Sequence, residues 1–183
     1  MCIRDRLHPA RELGGTLLRL AQGAHAAALA VLAHYALGVT GVHLGALPAA
    51  RQHLEDGIAC YTPDQRRASV YRIGQDPINS IRIHAAQTLW LLGYPDQALA
   101  RLHEAQALAH ELSHPYSLAH ARCQAAVVFQ FRRDVPAVYE HAEAAVALAT
   151  EQGFPLWVAM GTILRGWALA MQGQGEAGLA QVH

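Results

Sequence analysis

Five residues in the middle of the chain carry the spacing of a metal hydrolase: His110-Glu111-Leu112-Ser113-His114. In an H-E-x-x-H segment two histidines one helical turn apart hold zinc, and the glutamate takes a proton from the metal-bound water. That chemistry needs an unbroken helix through both histidines. Here Pro115 follows at once, and the residue before a proline is pushed out of the α region. Further donors lie close by in sequence, His120 and Cys123, on the next predicted helix. Forty residues on, the same register reads Thr150-Glu151-Gln152-Gly153-Phe154, a plain helix end. The stretch is therefore read as a helix end, and a zinc-dependent hydrolase using His110, Glu111 and His114 stands as the alternative.

Other chemistry-bearing patterns resolve in the same direction. Gly173-Gln174-Gly175-Glu176-Ala177-Gly178 satisfies G-x-G-x-x-G, but that fingerprint works between a strand and a helix, and a helical pattern precedes it here. Ser69, Ser80, Ser113 and Ser117 have no nucleophile-elbow context. All 14 basic residues are arginine, which removes the phosphate-loop lysine and Schiff-base chemistry. Twelve histidines are scattered along the chain. They admit a pH sensor, but compositional drift is the safer account. Cys2, Cys60 and Cys123 are far apart with no C-x-x-C pair, so neither a disulfide framework nor a zinc ribbon is indicated, and a reducing, cytoplasmic setting fits. These patterns point to no catalytic residue, no cofactor and no metal.

Charge narrows the partners. Fourteen acidic residues balance the fourteen arginines, so no net field attracts nucleic acid or anionic lipid. The most apolar run, 26–33, is far shorter than the ~20 residues that span a bilayer, and His25 and His34 flank it. Partners are expected to be neither nucleic acid nor membrane. Residues 1–6, MCIRDR, put charge where an export signal needs an apolar core and resemble a translated adapter sequence, so they stand outside the fold reading.

The elements that would position these residues are helical. A composition of 52% apolar residues but 7% aromatic, rich in alanine and leucine, suits closely packed helices. In Leu91–Pro115, Leu92-Gly93 ends one helix, Pro95 opens the next at a position where its missing N–H costs nothing, and Ala98, Leu102, Ala105 and Leu108 form one apolar stripe. Shifting the chain by 40 residues superposes this unit on Phe131–Pro155, matching Ala105 to Ala145, Leu108 to Leu148 and Pro115 to Pro155. A further 40 brings Arg133 onto Gly173. Backwards the shift is 48, setting Leu44-Gly45 on Leu92-Gly93, so eight residues are inserted, and 61–76 reads as the loop that holds them. Predicted helices cover 10–22, 25–44, 48–60, 77–92, 95–113, 116–132, 136–152 and 155–172, and another starts near Glu176. Within the first helix of each unit one column stays small: Gly38, Ala86, Ala126, Gly166.

The Leu-Gly turn followed five residues later by alanine, with small residues in fixed columns, resembles the tetratricopeptide repeat. It departs from that pattern in its period of 40 and in Arg132-Arg133 for Leu-Gly. The phrases LWLLGYPDQALARLHEAQALAHELSHP (Leu89–Pro115) and EQGFPLWVAMGTILRGWALAMQGQGEAGLAQ (Glu151–Gln181) resemble the C-terminal repeat region of large bacterial signalling proteins, which carry a class III adenylate or guanylate cyclase or other output domain and a predicted ATPase domain. The resemblance implies an all-α, tetratricopeptide-like solenoid over 7–183, with antiparallel helix pairs in a right-handed superhelix. It also implies a non-catalytic docking or regulatory module of a longer chain. The expected partner is a protein, a peptide or neighbouring domains of the same chain, on a concave face lined by the first helix of each unit. Candidate binding residues there are Tyr35, Gln87, Trp90, His120, Gln130 and Trp167, with Val39, Ile83, Cys123, Val127 and Ile163 beside them. Core packing is the competing account for the apolar ones, and a purely structural spacer is the competing account for the whole. The incomplete first and last units predict self-association through uncapped ends.

Overall fold

The computed structural model describes residues 6–62 and 76–182, and these are α-helical without a strand. In chain order the helices are α1 (Leu7–Gly23), α2 (Ala27–His43), α3 (Leu47–Ala59), α4 (Pro77–Leu91), α5 (Pro95–Leu112), α6 (Pro115–Phe131), α7 (Val135–Gln152), α8 (Pro155–Met171) and α9 (Gly175–Val182). Each lies within a few residues of its predicted span. Most of the inserted loop predicted at 61–76 falls outside the described residues. None of the helices described is long and apolar enough to cross a membrane.

Proline sets the starts. Pro77, Pro115 and Pro155 are the first residues of their helices, where no N–H is missed. Asp76 caps α4 by accepting the Ile78 N–H at 2.9 Å, and Asp134 caps α7 by accepting that of Ala137 at 3.3 Å. Such caps satisfy donors that the first helical turn leaves open.

The stops follow a tighter rule than the sequence reading found. Left-handed backbone occurs at His25, Gly45, Gly93, Ser113, Arg133, Gly153 and Gly173, with φ between +48° and +85°. Except across the insertion between Gly45 and Gly93, these positions are 20 residues apart. The structural period is thus one helix and one turn, half the 40-residue period of the sequence. At six of them the next residue's N–H reaches back to a carbonyl five residues earlier, as in Ala46 to Gly41, Tyr94 to Leu89, Asp134 to Phe129 and Phe154 to Ala149. This is the Schellman closure, which satisfies the last carbonyls of a helix.

The chain divides into two compact units, 1–104 and 105–183, with the boundary inside α5. In the first, α2 packs on α1, α3 and α4, and α3 packs on α4. In the second, α7 packs on α6 and α8, α8 packs on α9, and α6 also touches α8. Two antiparallel helices that rise equally per residue bring together residues equidistant from the turn that joins them. Gly41 faces Ala50 and His34 faces Gly57 about the Gly45 turn; Gly14 faces Leu37 about His25; Gly161 faces Val146 about Gly153.

The small-residue column is buried, and at its glycines the helices approach closely. A Cβ on Gly38 would sit 2.6 Å from Leu54 Cγ. Ala86 and Ala126 are fully buried, and the Gly166 carbonyl stands 2.5 Å from where a Gly178 Cβ would be. The second unit's core includes a cluster around Cys123, Ala145, Ala149 and Trp157 and another around Ala126, Val138, Ala142, Leu164 and Ala168.

Candidate functional site

The H-E-x-x-H segment does not make a metal-binding turn. Helix α5 ends at Leu112, Ser113 is left-handed at φ +48°, and His114 is extended at φ −92° as the N-cap of α6. Its Nδ1 accepts the Ser117 N–H at 3.4 Å and lies 3.0 Å from the Ser117 hydroxyl. The two imidazoles therefore belong to different helices. Gly173 is likewise a turn between α8 and α9, at φ +85°.

The predicted face residues separate into two groups. Ile83 and Cys123 are fully buried and His120 is 5% exposed. The His120 ring stacks on Trp157 at 4.7 Å and 18°, and the Cys123 thiol donates to the Trp157 carbonyl at 3.5 Å. Burial pushes that thiol up to about 12, because the thiolate would lose its hydration. These three residues are core.

Tyr35, Val39, Gln87, Trp90, Val127, Gln130 and Trp167 are half-buried and Ile163 is 52% exposed. In the first unit the Tyr35 ring meets His84 edge-on at 6.0 Å, so α2 and α4 present one continuous surface. His84 Nδ1 sits 2.8 Å from the Ser80 carbonyl. Burial holds its pKa below the ordinary imidazole value; the bond to Ser80 opposes this, and His43 adds to it. In the second unit Val127 of α6 and Met160, Ile163 and Leu164 of α8 line a shallow apolar groove of about 150 Å³, and Trp167 packs against the cluster that includes Leu164. A more polar cleft of about 250 Å³ is lined by residues that include Gln106, His110, Arg122 and His141.

One constellation escaped the sequence reading. Among the described residues His34, His53 and Asp56 bring potential ligand atoms within 4.8 Å of one another. His34 belongs to α2 and is 7% exposed, whereas His53 and Asp56 are half-buried on α3. The two Nδ1 atoms stand 3.3 Å apart and the rings are tilted by 51°. Burial lowers the pKa of His34; Asp56 draws it back up, and His53 depresses it further. Gln52 Nε2 donates to Asp56 Oδ1 at 2.8 Å. The signal was present in the chain: His53 and Asp56 share a helix face at i, i+3, and reflection through the Gly45 turn puts His34 opposite residue 57.

The chain matches no known family model and no curated protein sequence.

Proposed function

We propose that this chain is a non-catalytic helical-repeat module of the tetratricopeptide-like kind, docking a protein or peptide segment within a larger cytoplasmic signalling protein linked to a nucleotide cyclase or an ATPase. The observation that carries the reading is the pairing of alternate helices. Beyond its packing on the helix between them, α6 touches α8, and α2 likewise touches α4. Within each unit, first helices of neighbouring pairs thus lie side by side, and in the second unit the groove of Val127 and Ile163 is lined by α6 and α8. An apolar groove on a repeat's first-helix face suits apolar side chains of an extended or helical peptide. The absence of lysine and the split of the H-E-x-x-H histidines between two helices favour docking over catalysis.

The test is selection of binders from a displayed random-peptide library on the full chain, with a nucleotide-turnover assay alongside. Selected peptides should lose affinity at least tenfold on Ile163→Glu and keep it on Ala147→Glu, an exposed position of α7. Binders indifferent to Ile163→Glu, or turnover of nucleotide by this chain alone, would refute the reading. Failure to select any binder would favour the structural spacer.

A further inference from the structure

We propose that His34, His53 and Asp56 form a binding site for a zinc-type divalent cation that ties α2 to α3. The decisive measure is the 3.3 Å between the two Nδ1 atoms. Imidazole nitrogens bound at 2.0–2.1 Å to a tetrahedral ion stand about 3.3–3.4 Å apart, so the two nitrogens already hold the separation that a shared ion sets, and each ring needs only to turn its lone pair toward it. Both rings then bind through Nδ1 as neutral Nε2–H tautomers, and the ion takes the place of the proton between the two nitrogens, which moves to Nε2 of its own ring.

The third ligand comes from the same helix face as His53. Asp56 is one helical turn further along α3, with its ligand oxygen within 4.8 Å of the imidazole atoms, and rotation about its side-chain torsions closes the remainder. Gln52 already holds Oδ1, which leaves Oδ2 for the ion and orients the carboxylate as outer-shell partners do. One carboxylate also offsets half of the dication's charge, easing its placement beside a buried histidine. His53 and Asp56 are half-buried rather than enclosed, so water completes the coordination. Two imidazoles and one carboxylate select zinc and its neighbours over calcium or magnesium, which take oxygen ligands. A tie at this point holds the two helices at His34 and Gly57, whose approach the Gly45 turn sets.

The experiment uses the full chain, stripped with a chelator and titrated with cobalt(II), whose visible absorption distinguishes tetrahedral from octahedral coordination. Zinc then displaces the cobalt. The expected result is one tetrahedral equivalent, displaced stoichiometrically by zinc, with affinity lowered at least tenfold in His53→Ala and in Asp56→Asn and unchanged in His110→Ala/His114→Ala. Zinc should also raise the thermal midpoint of the wild-type chain and not that of Asp56→Asn. The Asp56→Asn variant keeps side-chain shape, so it serves even where His53→Ala loses helix content by circular dichroism. Wild-type binding no tighter than that of Asp56→Asn would overturn the site. So would tetrahedral cobalt lost only with His110 and His114.

Discussion

Arg133→Gly is expected to stabilise the chain, and the size of the gain follows from the turn geometry. Arg133 holds φ +58° between α6 and α7, the place glycine holds at φ +85° in the Gly93 turn. Hydrogen bonding at the two turns is nearly the same: Arg133 N–H to Gln130 O at 3.0 Å and Asp134 N–H to Phe129 O at 3.1 Å, against Gly93 to Trp90 at 3.0 Å and Tyr94 to Leu89 at 2.9 Å. What differs is the Cβ. A side-chain-bearing residue in the left-handed region costs about 1–2 kcal/mol, and glycine returns about 0.4–1 kcal/mol of that through the greater freedom of the unfolded chain. The Arg133 side chain is exposed, so its removal costs little packing. Net stabilisation should be about 0.5–1 kcal/mol, read as a higher urea midpoint or a thermal midpoint raised by roughly 1–4 °C. The mirror change, Gly93→Ala, should destabilise by a similar amount, because a Cβ there meets nothing within 4 Å and strain in the backbone is the whole effect. Arg133→Gly that lowers the midpoint, or Gly93→Ala that leaves it unmoved, would refute the assignment of Arg133 to the turn column.

Gly38→Ala should destabilise by about 1–3 kcal/mol through overpacking, since its Cβ would fall 2.6 Å from Leu54 Cγ; Gly23→Ala, which meets nothing within 4 Å, should be neutral or mildly stabilising in the same denaturation assay. Stability should fall as pH drops below the ordinary imidazole value, because burial depresses His84 in the folded state, so the unfolded chain takes up its proton first. In metal-free buffer, His84→Gln should flatten that decline between pH 7 and pH 5, and an unchanged profile would count against it. Native alkylation should label half-buried Cys60 and spare Cys123, whose thiol stays protonated with its pKa near 12; mass spectrometry showing equal labelling would contradict the burial.

The helices were legible because proline and glycine punctuate them. Pro77, Pro95, Pro115 and Pro155 stand at helix starts, and Gly45, Gly93, Gly153 and Gly173 stand at left-handed stops. The 20-residue spacing was hidden because His25, Ser113 and Arg133 occupy the same conformation without glycine, so the turn column looks broken when only residue types are compared. Face residues were harder to sort. Helical periodicity groups His120, Cys123 and Val127 on neighbouring positions, but only packing against Trp157 decides that the first two are core while Val127 lines a groove. The H-E-x-x-H match failed for the opposite reason: its spacing is local, and a local left-handed residue, Ser113, cancels it.

The His34 constellation was out of reach of any local motif, since its members are separated by a turn, yet it follows from the same geometry that defeats H-E-x-x-H. Once a turn is fixed, two helices of equal rise determine every facing pair in a hairpin. The Gly45 turn therefore specifies that His34 meets residue 57, with Asp56 adjacent to it and His53 one turn back. Moving the turn by one residue would shift His34 along α3 and rotate the facing side chains by about 100°. An inserted alanine after Gly45 should thus separate the imidazoles and abolish the cobalt site while leaving helix content intact. Retention of tetrahedral cobalt in that variant would mean that the ligands are held by something other than the hairpin register.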